Sequence, residues 1–419
     1  MKAVVLCSGL ATRMGGVIKP LIKIAGREII YRTLKSLRDN GVEEFVIVAN
    51  KFNKDSLKEF LEENGFKSKV IVNEHPERGN GYSFYLSKEF VSERFVLVMG
   101  DHVFEEDFVK NALNLDGLIC DCDPKFVDVK EATKVLVKNG RVADIGKDLE
   151  EFTCVDTGFF ILTKDVFNAA ERLVREREVV ELSEVIKEAG VKVSTLNGYF
   201  WMDIDTPEDV KRARKVIVRR SVKGGEDGFI SRHLNRKISL LISERLVDRM
   251  EPIHATIISF FVGVLSSLLV FFSIPLSGII YQISSILDGV DGEIARAALK
   301  TSKKGGWLDS ILDRYVDFLF LSCLAISTLS ALHEWAFALF AIFGSFMISY
   351  TTERYKGEFR ESFYKKHRPV VFGKRDERIF LVMLFCLLSP WVDVFYLFVV
   401  VAVLTNLRVV ESVLRVWTT

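Results

Sequence analysis

No Asp, Glu, Lys or Arg occurs from Pro252 to Leu287, and this charge-free stretch limits what the second half of the chain can fold into. Four aspartates follow it in a fixed frame, at Asp288, Asp291, Asp309 and Asp313. A carboxylate at membrane depth is costly unless it lines a cavity, pairs with a cation or binds metal. The sequence therefore predicts a cation site in a membrane-embedded protein.

The spacing of these aspartates indicates two helices. Asp288 and Asp291 are related as i and i+3, and Asp309 and Asp313 as i and i+4, so each pair shares one helix face. Two such helices side by side would bring the four carboxylates together. Hard oxygen ligands suit Mg²⁺, Mn²⁺ or Ca²⁺ better than zinc. We expect Mg²⁺ here, with Mn²⁺ as an alternative.

The residues between the two pairs complete a longer pattern, D-x2-D-G-x2-A-R-x8-G-x3-D-x3-D. This pattern resembles the signature of the CDP-alcohol phosphotransferases, which are integral membrane enzymes. The resemblance implies that an acceptor hydroxyl displaces CMP from a CDP-alcohol. It also implies divalent metal at the four aspartates, with Asp313 as the base that deprotonates the acceptor. The nucleotide would contact Gly292, Ala295 and Arg296, because the small residues leave the helix face bare and the arginine adds charge.

The apolar runs of the second half predict an all-α membrane domain with six transmembrane helices, since each span needs about 20 apolar residues. The expected spans are 252–274, 276–299, 306–329, 333–352, 377–390 and 392–413. The N-terminus reads as a strand and not as a signal peptide, and basic residues lie in the loops on the side of both termini. We therefore expect a multi-pass protein of the cell membrane, with both active sites facing the cytoplasm.

The segment before the first span has two parts. Its Gly-rich stretch, 223–228, predicts a linker. Residues 229–250 place apolar side chains at helical spacing beside basic ones, which predicts an amphipathic helix lying on the membrane surface. The chain would then consist of a soluble domain (1–222), the linker, the interfacial helix and a membrane domain (251–419).

The soluble half opens with an apolar strand that ends at Leu6 and runs into a small-residue loop, followed by Lys19-Pro20. Glycines in such a loop let backbone N–H groups approach a phosphate, and basic side chains neutralise its charge. Three more apolar strands alternate with helices at 28–40 and 53–65, and the strands are expected at 45–49, 69–73 and 95–99. This alternation predicts a Rossmann-like α/β domain that binds ligands at the carboxyl ends of its strands.

These motifs resemble those of the nucleotidyltransferases that activate sugar phosphates, with Ala11 in place of the second glycine of the loop. The resemblance implies that Lys19 and Arg13 are catalytic. It implies nucleotide contacts from Leu6, Ser8, Gly9, Thr12, Gly79 and Asn80, substrate-phosphate contacts from Lys147, Thr157 and Gly158, and divalent metal, again Mg²⁺ or Mn²⁺, on Asp101 and Asp203. Asp205 is the alternative to Asp203, unless it caps the closing helix expected at 208–218.

The two domains in this order resemble a family of bifunctional enzymes that joins inositol-1-phosphate cytidylyltransferase to di-myo-inositol-phosphate-phosphate synthase. The resemblance implies CTP and inositol 1-phosphate as substrates, CDP-inositol as the intermediate and a homodimer in a lipid membrane. No nucleic acid partner is expected. Lys374 and Arg375 are candidates for binding the acceptor phosphate, although topology alone would also explain these basic residues.

Other functions remain open at this point. The membrane half could transfer a phospholipid head group with CDP-diacylglycerol, or the chain could be a non-enzymatic scaffold or transporter.

Two further expectations concern the cysteines and His102. The six scattered cysteines are expected to be reduced thiols, because only Cys120 and Cys122 lie close together. His102 is expected to pack at the rim of the first site.

Overall fold

The computed structural model describes residues 1–9, 17–222, 227–367 and 370–418. The chain divides into two compact units, Met1–Arg214 and Lys215–Thr419.

The first unit is a Rossmann-like α/β domain, which confirms the predicted alternation of strands and helices. Its strands are β1 (Lys2–Leu6), β2 (Lys23–Ile24), β3 (Arg27–Glu28), β4 (Glu44–Asn50), β5 (Ser68–Asn73), β6 (Arg94–Met99), β7 (His102–Phe104), β8 (Gly117–Asp121), β9 (Lys134–Lys138), β10 (Arg141–Gly146), β11 (Cys154–Thr163), β12 (Val193–Thr195) and β13 (Trp201–Asp203). Its helices are α1 (Ile29–Asp39), α2 (Lys54–Glu63), α3 (Asn80–Tyr85), α4 (Glu106–Ala112), α5 (Val166–Glu176), α6 (Leu182–Glu188) and α7 (Pro207–Arg220), of which α7 continues past the end of the unit.

Among the described residues, nine strands form one sheet whose main path is β10-β9-β11-β6-β1-β4-β5. Strand β1 lies parallel between β4 and β6, and β11 runs antiparallel to β6. Helices cover both faces of the parallel strands, which explains why these strands are almost continuously apolar. Val5 packs on one face with Ile30 and Leu34. Val4 packs on the other with Phe84.

A disulfide joins Cys122 and Cys154, so the expectation of six reduced thiols is wrong. The two cysteines meet because β8 and β11 are neighbouring strands, with Asp121 paired to Val155. The bond closes the excursion of the chain that contains β9 and β10. Cys7, Cys120, Cys323 and Cys386 are free.

The second unit is helical. A π-helical turn (Ser231–Asn235) leads into α8 (Arg236–Leu246), and the later helices are α9 (Pro252–Leu269), α10 (Ile274–Ala297), α11 (Lys303–Thr328), α12 (Leu332–Phe359), α13 (Phe363–Lys366), α14 (Arg375–Leu388) and α15 (Phe395–Trp417). Within the described ranges, three helices are long and apolar enough to cross a membrane, namely α9, α12 and α15. Helices α10 and α11 carry the aspartates, and α14 has only 14 residues.

Helix α8 turns its polar side inward. Ser239 and Ser243 are fully buried, whereas Ile238 and Leu241 are 40% and 52% exposed. Inside the unit, α10 contacts α8, α9 and α14, and α11 contacts α9 and α12. The aspartates therefore lie on α10 and on α11, which meet through side chains such as Tyr281 and Phe320.

Candidate active sites

A cavity of about 400 Å³ lies at the carboxyl ends of the central strands of the first unit. Of the residues predicted from the sequence, this cavity is lined by Asn80, Asp101, Lys147, Gly158 and Asp203. These residues are far apart in the sequence, and the sheet brings them together. Thr12 and Arg13, which were also predicted for this site, lie outside the described residues.

Asp101 stands among cations at the end of β6. Its Oδ2 lies 3.8 Å from Nζ of Lys19, and its Oδ1 lies 2.8 Å from Nδ1 of His102. Burial acts to raise the pKa of Asp101, but the hydrogen bond and charge of His102 and the charge of Lys19 outweigh burial and lower this pKa. The carboxylate is therefore ionised at neutral pH and available to a divalent cation.

Asp203 and Asp205 approach the same cavity through different contacts. Asp203 pairs with His102 across the two-stranded β7–β13 ribbon. Asp205 accepts a 2.6 Å hydrogen bond from Nζ of Lys19. Thr206 and Asp209 form a reciprocal cap at the start of α7, so Asp205 is not the cap of that helix.

The loop that follows β1 is fixed by asparagines that the sequence reading did not identify. The side-chain amide of Asn50 donates to the carbonyls of Ser8 and Gly9, at 3.0 Å and 3.3 Å. The amide of Asn53 donates to the carbonyl of Cys7 at 2.7 Å. Leu6 ends β1, and its carbonyl accepts a 2.9 Å hydrogen bond from the N–H of Gly100. These bonds hold the entrance of the loop beside the end of β6.

The hydroxyl of Ser8 is also committed. Its Oγ shares a 2.7 Å hydrogen bond with Oγ of Ser83, which in turn accepts from the amide of Asn73 at 2.8 Å. This buried network fixes the side chain of Ser8 at the start of the loop. No sequence motif marks Asn73, because an asparagine at the end of a strand is common in any loop.

Of the residues predicted to contact the nucleobase or the substrate phosphate, some line the cavity and others do not. Asn80 lines the cavity, and its Oδ1 accepts a 2.6 Å hydrogen bond from the N–H of Leu182. Gly79, with φ of +87°, lies against the carbonyl of Val180, where a Cβ would come within 2.4 Å. Lys147 is an exposed wall residue of the cavity. Thr157 does not reach it with its side chain, because its buried hydroxyl donates to the carbonyl of Ile119 at 2.7 Å.

Asp156 is a cavity residue that the sequence reading missed, although it directly precedes Thr157-Gly158. Burial raises its pKa to about 6, the N–H of Gly158 and the charge of His102 oppose this, and Asp203 reinforces it. Burial acts to lower the pKa of His102, but Asp101, Asp203 and Asp156 raise it. His102 also packs on Phe104, with ring centroids 6.0 Å apart, as expected of a rim residue.

The second unit contains the predicted aspartate cluster. Asp288, Asp309 and Asp313 each present a carboxylate oxygen within 4.8 Å of the others. Asp291 lies beside them on α10 and accepts a hydrogen bond from the hydroxyl of Thr256. A set of carboxylate oxygens at this separation fits Mg²⁺ or Mn²⁺ and does not fit a soft metal.

Arg375 was predicted to bind the acceptor phosphate, and the structure places its guanidinium against the aspartate cluster. Its Nη1 lies 3.1 Å from Oδ2 of Asp288 and 2.9 Å from Oδ1 of Asp313. It is thus an ion-pair partner of the cluster itself. A cavity of about 310 Å³ contacts Asp288, Asp313, Lys374 and Arg375 together.

Gly292, Ala295 and Arg296 lie on α10 beyond the aspartates. The guanidinium of Arg296 covers Gly292, where a Cβ would be 2.8 Å from Nη1, and its Nε donates to the carbonyl of Ser221. Ala295 is half-buried. The sequence reading missed the residue between them, Glu293.

Glu293 is fully buried and joins α10 to α8. Its carboxylate accepts hydrogen bonds from Nη1 of Arg236 at 2.7 Å and from the hydroxyls of Ser239 and Ser243 at 2.7 Å and 2.6 Å. Arg236 also makes two bonds to Asp227, at 2.9 Å and 3.0 Å. These contacts explain why the polar side of α8 faces inward.

A further cavity of about 460 Å³ contacts Lys374, and its lining includes the arginines Arg232 and Arg408, the rings of Tyr364 and His367, and the carboxylates of Asp227 and Glu377. Arg408 is 1% exposed, and Nη1 pairs with Glu411 at 3.3 Å. Among the described residues, Nε and Nη2 of Arg408 have no hydrogen-bond partner. A buried guanidinium with unpaired nitrogens beside a cavity is costly, and an anion in the cavity would pair it.

Known proteins resemble both halves. A MobA-like NTP transferase profile matches residues 3–116, and a CDP-alcohol phosphatidyltransferase profile matches residues 252–411. A protein of Archaeoglobus fulgidus named bifunctional IPC transferase and DIPP synthase is 53% identical over 99% of this chain and 84% of its own length. A protein of the same name from Thermococcus kodakarensis is 49% identical over 97% of this chain and 95% of its own length. The solved inositol-1-phosphate CTP transferase from T. maritima is 32% identical, with a TM-score of 0.47, and covers 51% of this chain and 95% of its own.

Proposed function

The chain belongs to the family of bifunctional IPC transferases and DIPP synthases, and from this premise we propose how its two halves divide the work. It is an enzyme with a nucleotidyltransferase domain and a CDP-alcohol phosphotransferase domain. The first converts CTP and inositol 1-phosphate into CDP-inositol and diphosphate. The second transfers the inositol phosphate of CDP-inositol to another inositol 1-phosphate, which gives di-myo-inositol phosphate phosphate and CMP.

In the first step, the phosphate oxygen of inositol 1-phosphate attacks the α-phosphorus of CTP, and diphosphate leaves. Asp101 and Asp203 would hold Mg²⁺, which neutralises charge on the phosphates when bound. The 2.6 Å bond between Lys19 and Asp205 favours Asp203 as the second ligand, because Asp205 already fixes the lysine beside Asp101. Lys19 would then stabilise the developing negative charge.

The nucleotide and the sugar phosphate would enter this cavity from two sides. The loop after Leu6, with Ser8, Gly9, Thr12 and Arg13, would contact the phosphates of CTP. Gly79 and Asn80 would contact the base. Lys147, on the opposite wall, would bind the phosphate of inositol 1-phosphate, together with the backbone at Thr157-Gly158.

In the second step, a hydroxyl of inositol 1-phosphate attacks the β-phosphorus of CDP-inositol, and CMP leaves. Asp288, Asp291 and Asp309 would hold the divalent cation, which stabilises the diphosphate when bound. Asp313 would take the hydroxyl proton. Gly292, Ala295 and Arg296 would contact the nucleotide along α10.

The acceptor carries a phosphate of its own, and the cavity beside Lys374 has the charge to bind it. The observation that carries this proposal is the buried guanidinium of Arg408, whose unpaired Nε and Nη2 border that cavity. Lys374 contacts both this cavity and the one at the aspartates. A phosphate bound between Lys374 and Arg408 would place the inositol ring toward Asp313.

The membrane arrangement completes the proposal. Helices α9, α12 and α15 would span the membrane with α10, α11 and α14 beside them, which gives six spans. The exposed apolar side of α8 would rest on the membrane surface. Both sites would face the cytoplasm, in a homodimer that assembles through the membrane domain.

Two labels test this division of work in protein purified in detergent with Mg²⁺. Label at the α-phosphate of CTP should pass through CDP-inositol and finish in CMP. Label in inositol 1-phosphate should finish in the phosphodiester. If no CDP-inositol forms from CTP and inositol 1-phosphate, the proposed first step is wrong. If CDP-inositol forms but is consumed only when a lipid acceptor is added, the proposed second step is wrong.

A further inference from the structure

Asp317 lies one helical turn beyond Asp313 on α11 and continues the spacing of Asp309 and Asp313. It is 7% exposed. The family pattern ends at Asp313, so no role is implied for this fifth aspartate. A carboxylate buried among helices needs compensating partners, and those partners show what Asp317 does.

One guanidinium connects Asp317 with the cluster. Nε of Arg375 lies 3.2 Å and 3.3 Å from the two carboxylate oxygens of Asp317. Nη1 of the same side chain contacts Asp288 and Asp313, at 3.1 Å and 2.9 Å. Arg375 thus bridges the carboxylate of the proposed base and a carboxylate that is not part of the metal cluster.

Asp317 is itself fixed by donors on other helices. The hydroxyl of Tyr281 donates to its Oδ1 at 2.8 Å, and the Tyr281 ring stacks on Phe320 with centroids 4.1 Å apart. Nη2 of Arg378 lies 3.6 Å from Oδ2, while Nη1 of Arg378 donates to the carbonyl of Gly373 at 2.9 Å. Tyr281, Arg375 and Arg378 together compensate the buried charge of Asp317.

We propose that Asp317 is a positioning residue for the second step: it holds the guanidinium of Arg375 against Asp313, in the wall of the 310 Å³ cavity that also contacts Lys374. An arginine side chain that is not held loses this placement, because it has several freely rotating bonds. Held by Asp317, Arg375 faces both the base and the incoming phosphorylated acceptor. This inference rests on the proposed second step.

The test uses Asp317→Asn, which keeps the shape of the side chain and removes its charge. With CDP-inositol supplied, we expect the KM for inositol 1-phosphate to rise roughly 10- to 100-fold, while kcat changes less than about threefold because Asp313 and the metal ligands are intact. Tyr281→Phe, which removes one donor to Asp317, should raise the same KM by a smaller factor. Synthesis of CDP-inositol from CTP in the same chain should be unchanged and serves as the internal control.

A double-variant comparison separates positioning from a general structural role. If Asp317 acts through Arg375, then Arg375→Gln combined with Asp317→Asn should be no worse than Arg375→Gln alone. Additive losses, or a wild-type KM in Asp317→Asn, would overturn the inference. A normal second step in Asp313→Asn would instead overturn the proposed function, so the two failures are distinguishable.

Discussion

The acidic groups of the first site come from positions a hundred residues apart, whereas those of the second come from two neighbouring helices. Asp101 and Asp203 meet only because β7 and β13 pair beyond the end of β6. Asp309 and Asp313 share one face of α11, and their carboxylate oxygens lie within 4.8 Å of that of Asp288 on α10. The first site therefore depends on the whole α/β fold, and the second on the local packing of α10 and α11.

The two sites also differ in the cations that balance their carboxylates. Lys19 and His102 both contact Asp101, which lines the cavity of the first site. In the second site the guanidinium of Arg375 contacts two members of the cluster directly, and Arg314 lies 3.4 Å from Asp313. We expect substitutions of the aspartates or Arg375 in the second unit to lower the rate of the second reaction step alone. Substitutions that disturb the fold of the first unit should lower the first step by lowering the stability of that unit.

The largest effect is expected for Asp309→Asn. Loss of this proposed metal ligand would remove several kcal/mol of charge stabilisation, so turnover of supplied CDP-inositol should fall roughly 10³-fold. Synthesis of CDP-inositol from CTP should continue at the wild-type rate. Asp393→Asn, which changes an exposed carboxylate between α14 and α15, is the matched control. Equal loss of both steps would show that the sites are not separate.

The disulfide tests the dependence of the first site on its fold. Replacing Cys122 and Cys154 together by Ser should destabilise the first unit by about 2–4 kcal/mol, because the bond restricts the unfolded chain. The segment that the bond closes contains Lys147 and other residues that line the cavity. Thermal unfolding followed by loss of CTP turnover would show a lower midpoint. Cys323→Ser, in the second unit, should leave that midpoint unchanged. An unchanged midpoint in the double variant would contradict a stabilising role for the bond.

Arg408→Gln tests whether the two sites bind the phosphate of inositol 1-phosphate through different cations. Loss of a charge-assisted hydrogen bond is worth about 1.5–3 kcal/mol, so the KM for inositol 1-phosphate in the second step should rise roughly 10- to 100-fold. The KM for inositol 1-phosphate in the first step should not change, since Lys147 is the residue proposed to bind the phosphate in that step. Arg354→Gln, at an exposed position of α12, controls for loss of positive charge. A shift of both KM values together would place Arg408 outside the acceptor site.

The smallest effect concerns pH. The pKa of Asp156 in the folded protein is about 6, above its value of about 3.9 in an unfolded chain. Between these values the folded state binds more protons, so this group lowers the stability of the first unit as the pH rises from about 4 to 6. Asp156→Asn should remove this dependence.

At pH 7 and in the presence of a chelator, Asp156→Asn should be more stable than the wild type by about 1–3 kcal/mol. The difference should vanish near pH 4. Asp55→Asn, at an exposed position of α2, should show no such crossover. A variant that is less stable than the wild type at pH 7 would contradict the account of Asp156.

Much of the second site could be predicted from the sequence, because helical spacing brings each pair of aspartates to one face of its helix. The parallel strands could also be predicted, since a parallel sheet buried on both faces leaves continuous apolar runs in the sequence. Arg408 carried a signal that was not used: it lies in the middle of the apolar helix α15, where a charged side chain is costly and marks a functional position.

Other features could not be predicted, because they depend on contacts between distant segments. Asn50 and Asn53 fix the loop through side-chain amides that follow no motif. Cys122 and Cys154 meet only when β8 and β11 are known to be neighbours. The contact of Arg375 with Asp288 and Asp313 requires α14 to lie beside α10 and α11, which basic residues in a loop do not reveal.

The most direct test of two sequential sites in one chain uses Lys19→Ala and Asp313→Asn, separately and mixed, with CTP, inositol 1-phosphate and Mg²⁺. Lys19→Ala should make no CDP-inositol but should use it when supplied, and Asp313→Asn should accumulate CDP-inositol without the phosphodiester. Mixed, the two variants should form the phosphodiester from CTP. Formation of the phosphodiester from CTP by either variant alone at the wild-type rate would contradict the account.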